Sequence, residues 1–263
     1  MTGFLLVTAA SLAALAVVQG IAFAVGRRIG RYNVVDVAWG TGIVVVVWIA
    51  LALGDGDRPR GLLLAVIVTV WGLRLSWHMW VKSAGKGEDP RYTDMLDRAG
   101  GGTATVLRKV FVVQGAAQWF VSLPLQVSAV AGPTNSPWTW ALGAGVVLAL
   151  LGIGFEAVGD HQLRAFKADP ANRGAIMDRG LWSWTRHPNY FGDACTWWGL
   201  WLIAATSWPG VLTVLSPALM TYFLVHATGA RLLERFMSDR PGWDEYAART
   251  SFFVPRPPRG VSR

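Results

Sequence analysis

"TRHPNYFGDACTWWGLWLIAA", residues 185–205, sets Arg186, His187, Asn189, Tyr190 and Asp193 directly before a run of apolar and aromatic residues that carries no charge. Such a run belongs in a core or in lipid, and the rest of the chain decides which. Of 263 residues, 53% are hydrophobic and 15% charged, against roughly 25% charged in a soluble domain. Apolar runs near 20 residues recur, each long enough to cross about 30 Å of hydrocarbon. The expected fold is therefore all-α, a single polytopic membrane domain over residues 1–263. Pro188, which has no N–H to leave unsatisfied, suits the first turn of the helix that the quoted stretch opens.

Hydropathy and turn signals predict about seven membrane helices, roughly 4–25, 35–53, 61–81, 107–131, 138–160, 190–206 and 209–229. The first lacks a basic segment before it and is followed by Arg27 and Arg28, so it reads as a retained helix and not a signal peptide. "AGGGTATV" (99–106) reads as a flexible turn before the fourth helix. Segments 26–34, 82–109, 161–189 and 230–263 hold 21 of the 24 Lys and Arg residues, whereas the alternate connections hold only Arg58 and Arg60. The positive-inside rule then places the N-terminus outside and the C-terminus in the cytoplasm, in what reads as a bacterial plasma membrane. This topology also accounts for the formal net charge of +8 without nucleic acid as a partner.

Several chemistries are excluded on pattern. The lone Cys195 allows no internal disulfide and no cysteine-rich metal site. "GTG" (40–42) and "GAG" (143–145) lie in hydrophobic helices and lack the third glycine of a dinucleotide-binding turn. No H-E-x-x-H and no G-x-S-x-G occurs, so metalloprotease and serine-hydrolase sites are unsupported, and no metal is expected.

Polar residues nevertheless sit where lipid should be, and each is costly there unless paired. "NVVDVAWG" (33–40) puts Asp36 in the first turn of the second helix. "WGLRLSWHMW" (71–80) puts Arg74 and His78 four residues apart on one helical face, where an ion pair between Asp36 and Arg74 would pin helices two and three. Glu156, Asp160, Arg164 and Lys167 form a stripe that runs from the bilayer into the cytoplasm. The loop "ADPANRGAIMDRGLWSW" can fold back and bring that stripe to Arg186, His187 and Asn189. Arg and Lys supply charge-assisted bonds to phosphate, while Asn and Asp hold amides or sugar hydroxyls, so the cluster suits a phosphorylated, nucleotide-like cofactor. The aromatic and basic tail "PGWDEYAARTSFFVPRPPRG" either lies on the membrane surface among lipid headgroups or closes a cofactor site.

"RGLWSWTRHPNYFGD", "GDHQLRAFK", "NVVDVAWG" and "GWDEYAARTSFFVPRPP" together resemble the DUF1295 group, which is related to the C-terminal domain of steroid 5-alpha-reductases and to sterol reductases. The likeness to DUF1295 spans nearly the whole chain, and that to the reductases mainly residues 155–258. It implies a seven-helix fold that binds NADPH from the cytoplasm. By position it assigns Asp160, Arg164 and Lys167 to the nucleotide, Asn189 and Asp193 to the cofactor beside Tyr190, and Arg231 to the adenosine phosphate. Arg186 and His187 would lie further out, toward the phosphates. Two departures stand out: "RLLERF" lacks the reductases' histidine cluster, and helix three lacks their catalytic tyrosine. Arg74, His78 or Tyr92 of "GEDPRY" would take its place, with Asp36 as partner.

The resemblance implies a reductase of a carbon–carbon double bond, of the enone type, in a lipidic or steroid-like substrate. Isoprenylcysteine carboxyl methyltransferase and phospholipid methyltransferases share an Arg-His-Pro-x-Tyr core and a similar tail, so a methyltransferase that uses S-adenosylmethionine is an alternative. A non-enzymatic lipid-binding or transport protein is another, disfavoured by the lack of duplicated halves.

Overall fold

The computed structural model describes residues 2–89, 92–93, 96–97, 100, 102–134, 136–227 and 229–258. Positions 99 and 101 of the glycine-rich turn lie outside the described residues, as do Arg91, Arg98, Arg259 and Arg263 of the basic residues counted above. The described residues are helical throughout, with one isolated bridge between Thr185 and Ser251.

In chain order the elements are α1 (Thr2–Ile29), α2 (Val34–Leu53) and α3 (Arg58–Ser83), followed by α4, which joins Thr103–Val106, a π segment Leu107–Val112 and Val113–Val121. Next come α5 (Leu123–Ser128), α6 (Thr139–Ala168), α7 (Pro188–Ala204) and α8 (Leu215–Tyr222), the last flanked by a 3-10 turn Gly210–Val214 and a π segment Phe223–Ala227. Two short helices, α9 (Ala230–Met237) and α10 (Trp243–Arg249), end the described chain. Among the described residues, five stretches are long and apolar enough to cross a membrane: Thr2–Ile29, Val34–Leu53, Arg58–Ser83, Thr139–Ala168 and Gly210–Met237. The other two expected spans are helical but shorter, since α4 and α5 part at Ser122 and α7 has 17 residues. Outward-facing Val17, Ile21, Leu151 and Leu215 are each about 60% exposed or more. Water would not tolerate so much apolar surface, and lipid does. The protein is an integral membrane protein.

The chain forms two compact units. The first comprises Met1–Leu142 and Ile203–Ser216. Here α1 packs on α2, α2 on α3, and α4 on α1. At the α2–α3 crossing Gly40 and Gly72 meet backbone to backbone, and a Cβ on Gly40 would lie 2.0 Å from the Gly72 carbonyl oxygen. Ser76 Oγ then bridges the helices, donating to Val37 O at 2.8 Å and accepting from Thr41 N at 2.9 Å. Arg60, expected on the outer surface, is instead buried. Its guanidinium donates to Ser128 O (3.3 Å), Ala131 O (3.0 Å) and Gly132 O (2.8 Å), carbonyls left over at the end of α5.

The second unit comprises Gly143–Leu202 and Pro217–Arg263. Residues 155–202 and 217–258 of the segment expected to resemble the reductases fall within it. Helices α6 and α7 pack along small residues. A Cβ on Gly192 would lie 2.5 Å from Glu156 N, one on Gly152 would lie 2.5 Å from Thr196 N, and one on Gly199 would lie 2.5 Å from Ala149 N. Without a hydrophobic drive between helices in lipid, such close backbone approach is what holds a pair together.

Candidate functional site

In the second unit the α6 stripe changes character along its length. Glu156 and Asp160 are buried, and Arg164 and Lys167, one and two turns on, are exposed. The loop after α6 does fold back. Leu181 N donates to Gln162 Oε1 at 3.0 Å, and Trp182 Nε1 donates to Gly159 O at 3.0 Å. This brings Pro188 against Gly159 and starts α7 beside the acidic residues. Asn189 Oδ1 accepts from Tyr190 N at 3.1 Å, and Asn189 Nδ2 donates to Asp160 Oδ1 at 3.2 Å. Asp193 is buried one turn further along α7. The structure thus joins Asp160 to Asn189 in a buried polar seam capped by exposed cations.

Arg186 and His187 face the tail. Arg186 Nε donates to Glu234 Oε1 at 2.6 Å, and Nη1 donates to Ala247 O (2.9 Å) and Thr250 O (2.8 Å). The guanidinium also lies over the rings of Trp243 and Phe252. Arg186 N donates to Ser251 O at 2.9 Å, and Arg256 N donates to Trp184 O at 3.0 Å, so the tail lies along residues 184–186. His187 Nε2 is 3.2 Å from Glu234 Oε1, and its ring stacks on Tyr190. Burial holds the imidazole below its ordinary range, more than the Glu234 hydrogen bond raises it. Tyr246 Oη donates to Trp182 O at 2.7 Å, and burial pushes that phenol up. Arg231 is exposed on α9 and lines an open depression of about 480 Å³ with Glu234, Arg235, Ser238, Trp243 and Phe252.

In the first unit Tyr92 Oη donates to Asp36 Oδ1 at 2.6 Å, which unites two of the four residues expected to carry chemistry. Arg74 and His78 are half-buried on α3. Val37, next to Asp36, accepts from Ser76, which sets the first turn of α2 level with the midpoint between Arg74 and His78.

Two contributors were missed by sequence reasoning. Glu234 lies in the "RLLERF" stretch, read only for the histidines it lacks, and its partners are 47 and 48 positions away. Glu88 lies in the quoted "GEDPRY", where a loop acid carries no periodic signal.

These features define a polytopic helical membrane protein with a buried polar seam in one unit and a phenol–carboxylate pair in the other. A family model described as "Protein of unknown function (DUF1295)" matches residues 22–250. The chain belongs to that family. No curated protein and no solved structure matches it.

Proposed function

We propose that this protein is a membrane-embedded, NADPH-dependent reductase of a carbon–carbon double bond conjugated to a carbonyl in a lipidic or steroid-like substrate. The carrying observation is the 2.6 Å hydrogen bond between Tyr92 Oη and Asp36 Oδ1. Reduction of an enone needs an acid at the carbonyl oxygen. Methyl transfer to a nucleophile needs none, and passive lipid binding has no use for a phenol bonded to a carboxylate at the end of a membrane helix.

The donor set of the second unit fits a dinucleotide phosphate. Exposed Arg164, Lys167 and Arg231 suit its phosphates, and Asp160, Asn189, Tyr190 and Asp193 suit amide and hydroxyl groups. Arg186 and His187 hold the tail in place around that end of the unit. NADPH, when bound, supplies a hydride equivalent to the β-carbon of the conjugated system. As charge develops on the carbonyl oxygen, Tyr92 gives it the phenolic proton. Asp36, carrying a proton taken from solvent, then donates it to the phenolate, and the enol becomes the saturated ketone when a solvent proton reaches its α-carbon and its hydroxyl proton is released. Arg74 and His78, on the α3 turn on either side of Ser76, complete the candidate catalytic set. In this reading α4–α5 and α7 complete seven membrane segments, the N-terminus is outside a bacterial plasma membrane, and the cofactor end faces the cytoplasm. Seventeen residues of α7 rise about 26 Å, close to the hydrocarbon thickness.

Thermal unfolding of the detergent-solubilised protein tests the cofactor. At a hundredfold excess over its Kd, NADPH adds about 2.7 kcal/mol to the folded state. Lys167→Ala and Arg231→Ala weaken NADPH more than NADH, because those cations meet the extra phosphate. Stabilisation by S-adenosylmethionine and not by NADPH would replace the reductase with a methyltransferase.

A further inference from the structure

The start of α2 lacks a cap of its own. Asn33 stands at its N-cap position, and the Asn33 side chain makes no capping hydrogen bond. Exposed helix N–H groups carry partial positive charge and need an acceptor. Val35 N and Asp36 N turn back to Tyr32 O and Asn33 O, both at 3.1 Å, and Glu88, from the connection after α3, serves the N-cap N–H and the one before it. Its carboxylate accepts from Asn33 N at 3.0 Å and, through the other oxygen, from Tyr32 N. The same segment is tied down twice more. Asn33 Nδ2 donates to Gly87 O at 3.3 Å, and Arg31 Nη1 donates to Lys86 O at 2.9 Å and to Ser83 O.

Glu88 lies four positions before Tyr92 in the chain, and backbone bonds link the two. Asp89 N donates back to Glu88 Oε1 at 3.0 Å, and Asp89 O accepts from Tyr92 N at 2.9 Å and Thr93 N at 3.2 Å. The phenol then reaches Asp36, three residues beyond Asn33, at 2.6 Å. One carboxylate therefore fixes both ends of the contact, the helix that carries Asp36 and the turn that carries Tyr92. The Tyr92 ring also packs against the buried cluster that includes Val35, Ala38 and Phe111, and Glu88 adds the polar anchor that ties its segment to the start of α2.

We infer that Glu88 is a positioning residue, which caps α2 from another segment and thereby holds the Tyr92 hydroxyl on Asp36. It acts through Tyr92 and touches no substrate. Its importance for turnover rests on Tyr92 being the acid of the proposed reduction, but its effect on the phenol does not.

The test is fluorine NMR of the full-length protein with fluorotyrosine incorporated in detergent. Five tyrosines give few signals, and Tyr92→Phe assigns the one that matters. Asp36→Asn moves the Tyr92 signal by putting an amide in place of the carboxyl group that accepts from the phenol. Glu88→Gln, whose amide turns a donor toward one of two N–H groups, should move it in the same direction, and Glu88→Asp should move it less. A Tyr92 signal that stays in place in folded Glu88→Gln overturns the inference. Should Glu88→Gln fail to fold, Glu88→Asp, which keeps the carboxylate and shortens its reach, takes its place, and an unmoved Tyr92 signal there overturns the inference.

Turnover separates this from the function it serves. With NADPH and a steroidal enone in micelles, Glu88→Gln should lose about ten- to hundredfold in kcat at unchanged KM for NADPH. In a Tyr92→Phe background the same change should cost nothing more, because coupled residues are not additive. Independent, multiplying losses overturn the inference. Normal turnover by Tyr92→Phe, or none by the wild type, overturns the reductase reading and leaves the NMR result for Glu88 standing.

Discussion

His187 is buried, within 3.2 Å of the Glu234 carboxylate, and beside the Arg186 guanidinium. A carboxylate so near would ordinarily favour imidazolium, yet burial and Arg186 oppose it, and the net shift is downward from 6.5. The folded protein thus keeps His187 neutral at a pH where the unfolded chain has begun to protonate it. Stability from this site is complete above pH 6.5. It declines as pH falls through 6.5 toward the lowered folded value, and levels off below that. His187→Gln keeps an N–H donor for Glu234 but cannot titrate. Its melting temperature should therefore change less than the wild type's between neutral and mildly acidic pH. Parallel curves for the two proteins would mean that folding leaves the His187 pKa unshifted.

At the scale of elements, the seam between α6 and α7 decides whether the candidate site exists. Gly192 sits where a methyl group would meet the Glu156 backbone nitrogen at 2.5 Å, with helix backbone on both sides and no flexible side chain to yield. Gly192→Ala should push the helices apart and cost about 1–3 kcal/mol. NADPH affinity should fall with it, since Asn189 and Asp160 meet across the same seam. Gly154→Ala, on α6 with nothing within 4 Å, is the control and should be neutral or stabilising by up to about 1 kcal/mol. Equal melting temperatures for the two variants would remove the seam as a support of the site. The helices themselves were legible in the sequence, because apolar run length signals a span directly: 35–53 became Val34–Leu53, and 61–81 became Arg58–Ser83. The seam was not, because its glycines lie in runs where hydropathy alone was read. The approach of Asn189 to Asp160 could be foreseen from a loop that folds back, whereas the commitment of Arg186 to Ala247 and Thr250 could not. Backbone carbonyls more than sixty positions away leave no trace in residue type. Glu88 escaped notice for a related reason: a cap supplied by another segment has no local spacing.

For the whole molecule, the open question is which connections face the cytoplasm. The basic residues answer it statistically, with 21 of 24 in one alternating set of connections. The structure sharpens the contrast, since buried Arg60 is bound to carbonyls at the end of α5 and does not count as a surface charge. That leaves Arg58 alone on the sparse side, where Nη1 donates to Leu51 O at 2.6 Å. Arg173, by contrast, lies exposed after α6 in the connection that leads to the polar seam. The proposed seven-segment topology puts these two positions on opposite faces. Single cysteines at Arg58 and Arg173, in a Cys195→Ser background, should react with an impermeant maleimide from opposite sides of sealed vesicles. Arg173→Cys should label only in inverted vesicles and Arg58→Cys only in right-side-out ones. Labelling of both from one side would reduce the number of crossings between them to an even count. The polar seam would then no longer be bound to the cytoplasmic face, and with it would go the expectation that it draws on the cytoplasmic nucleotide pool.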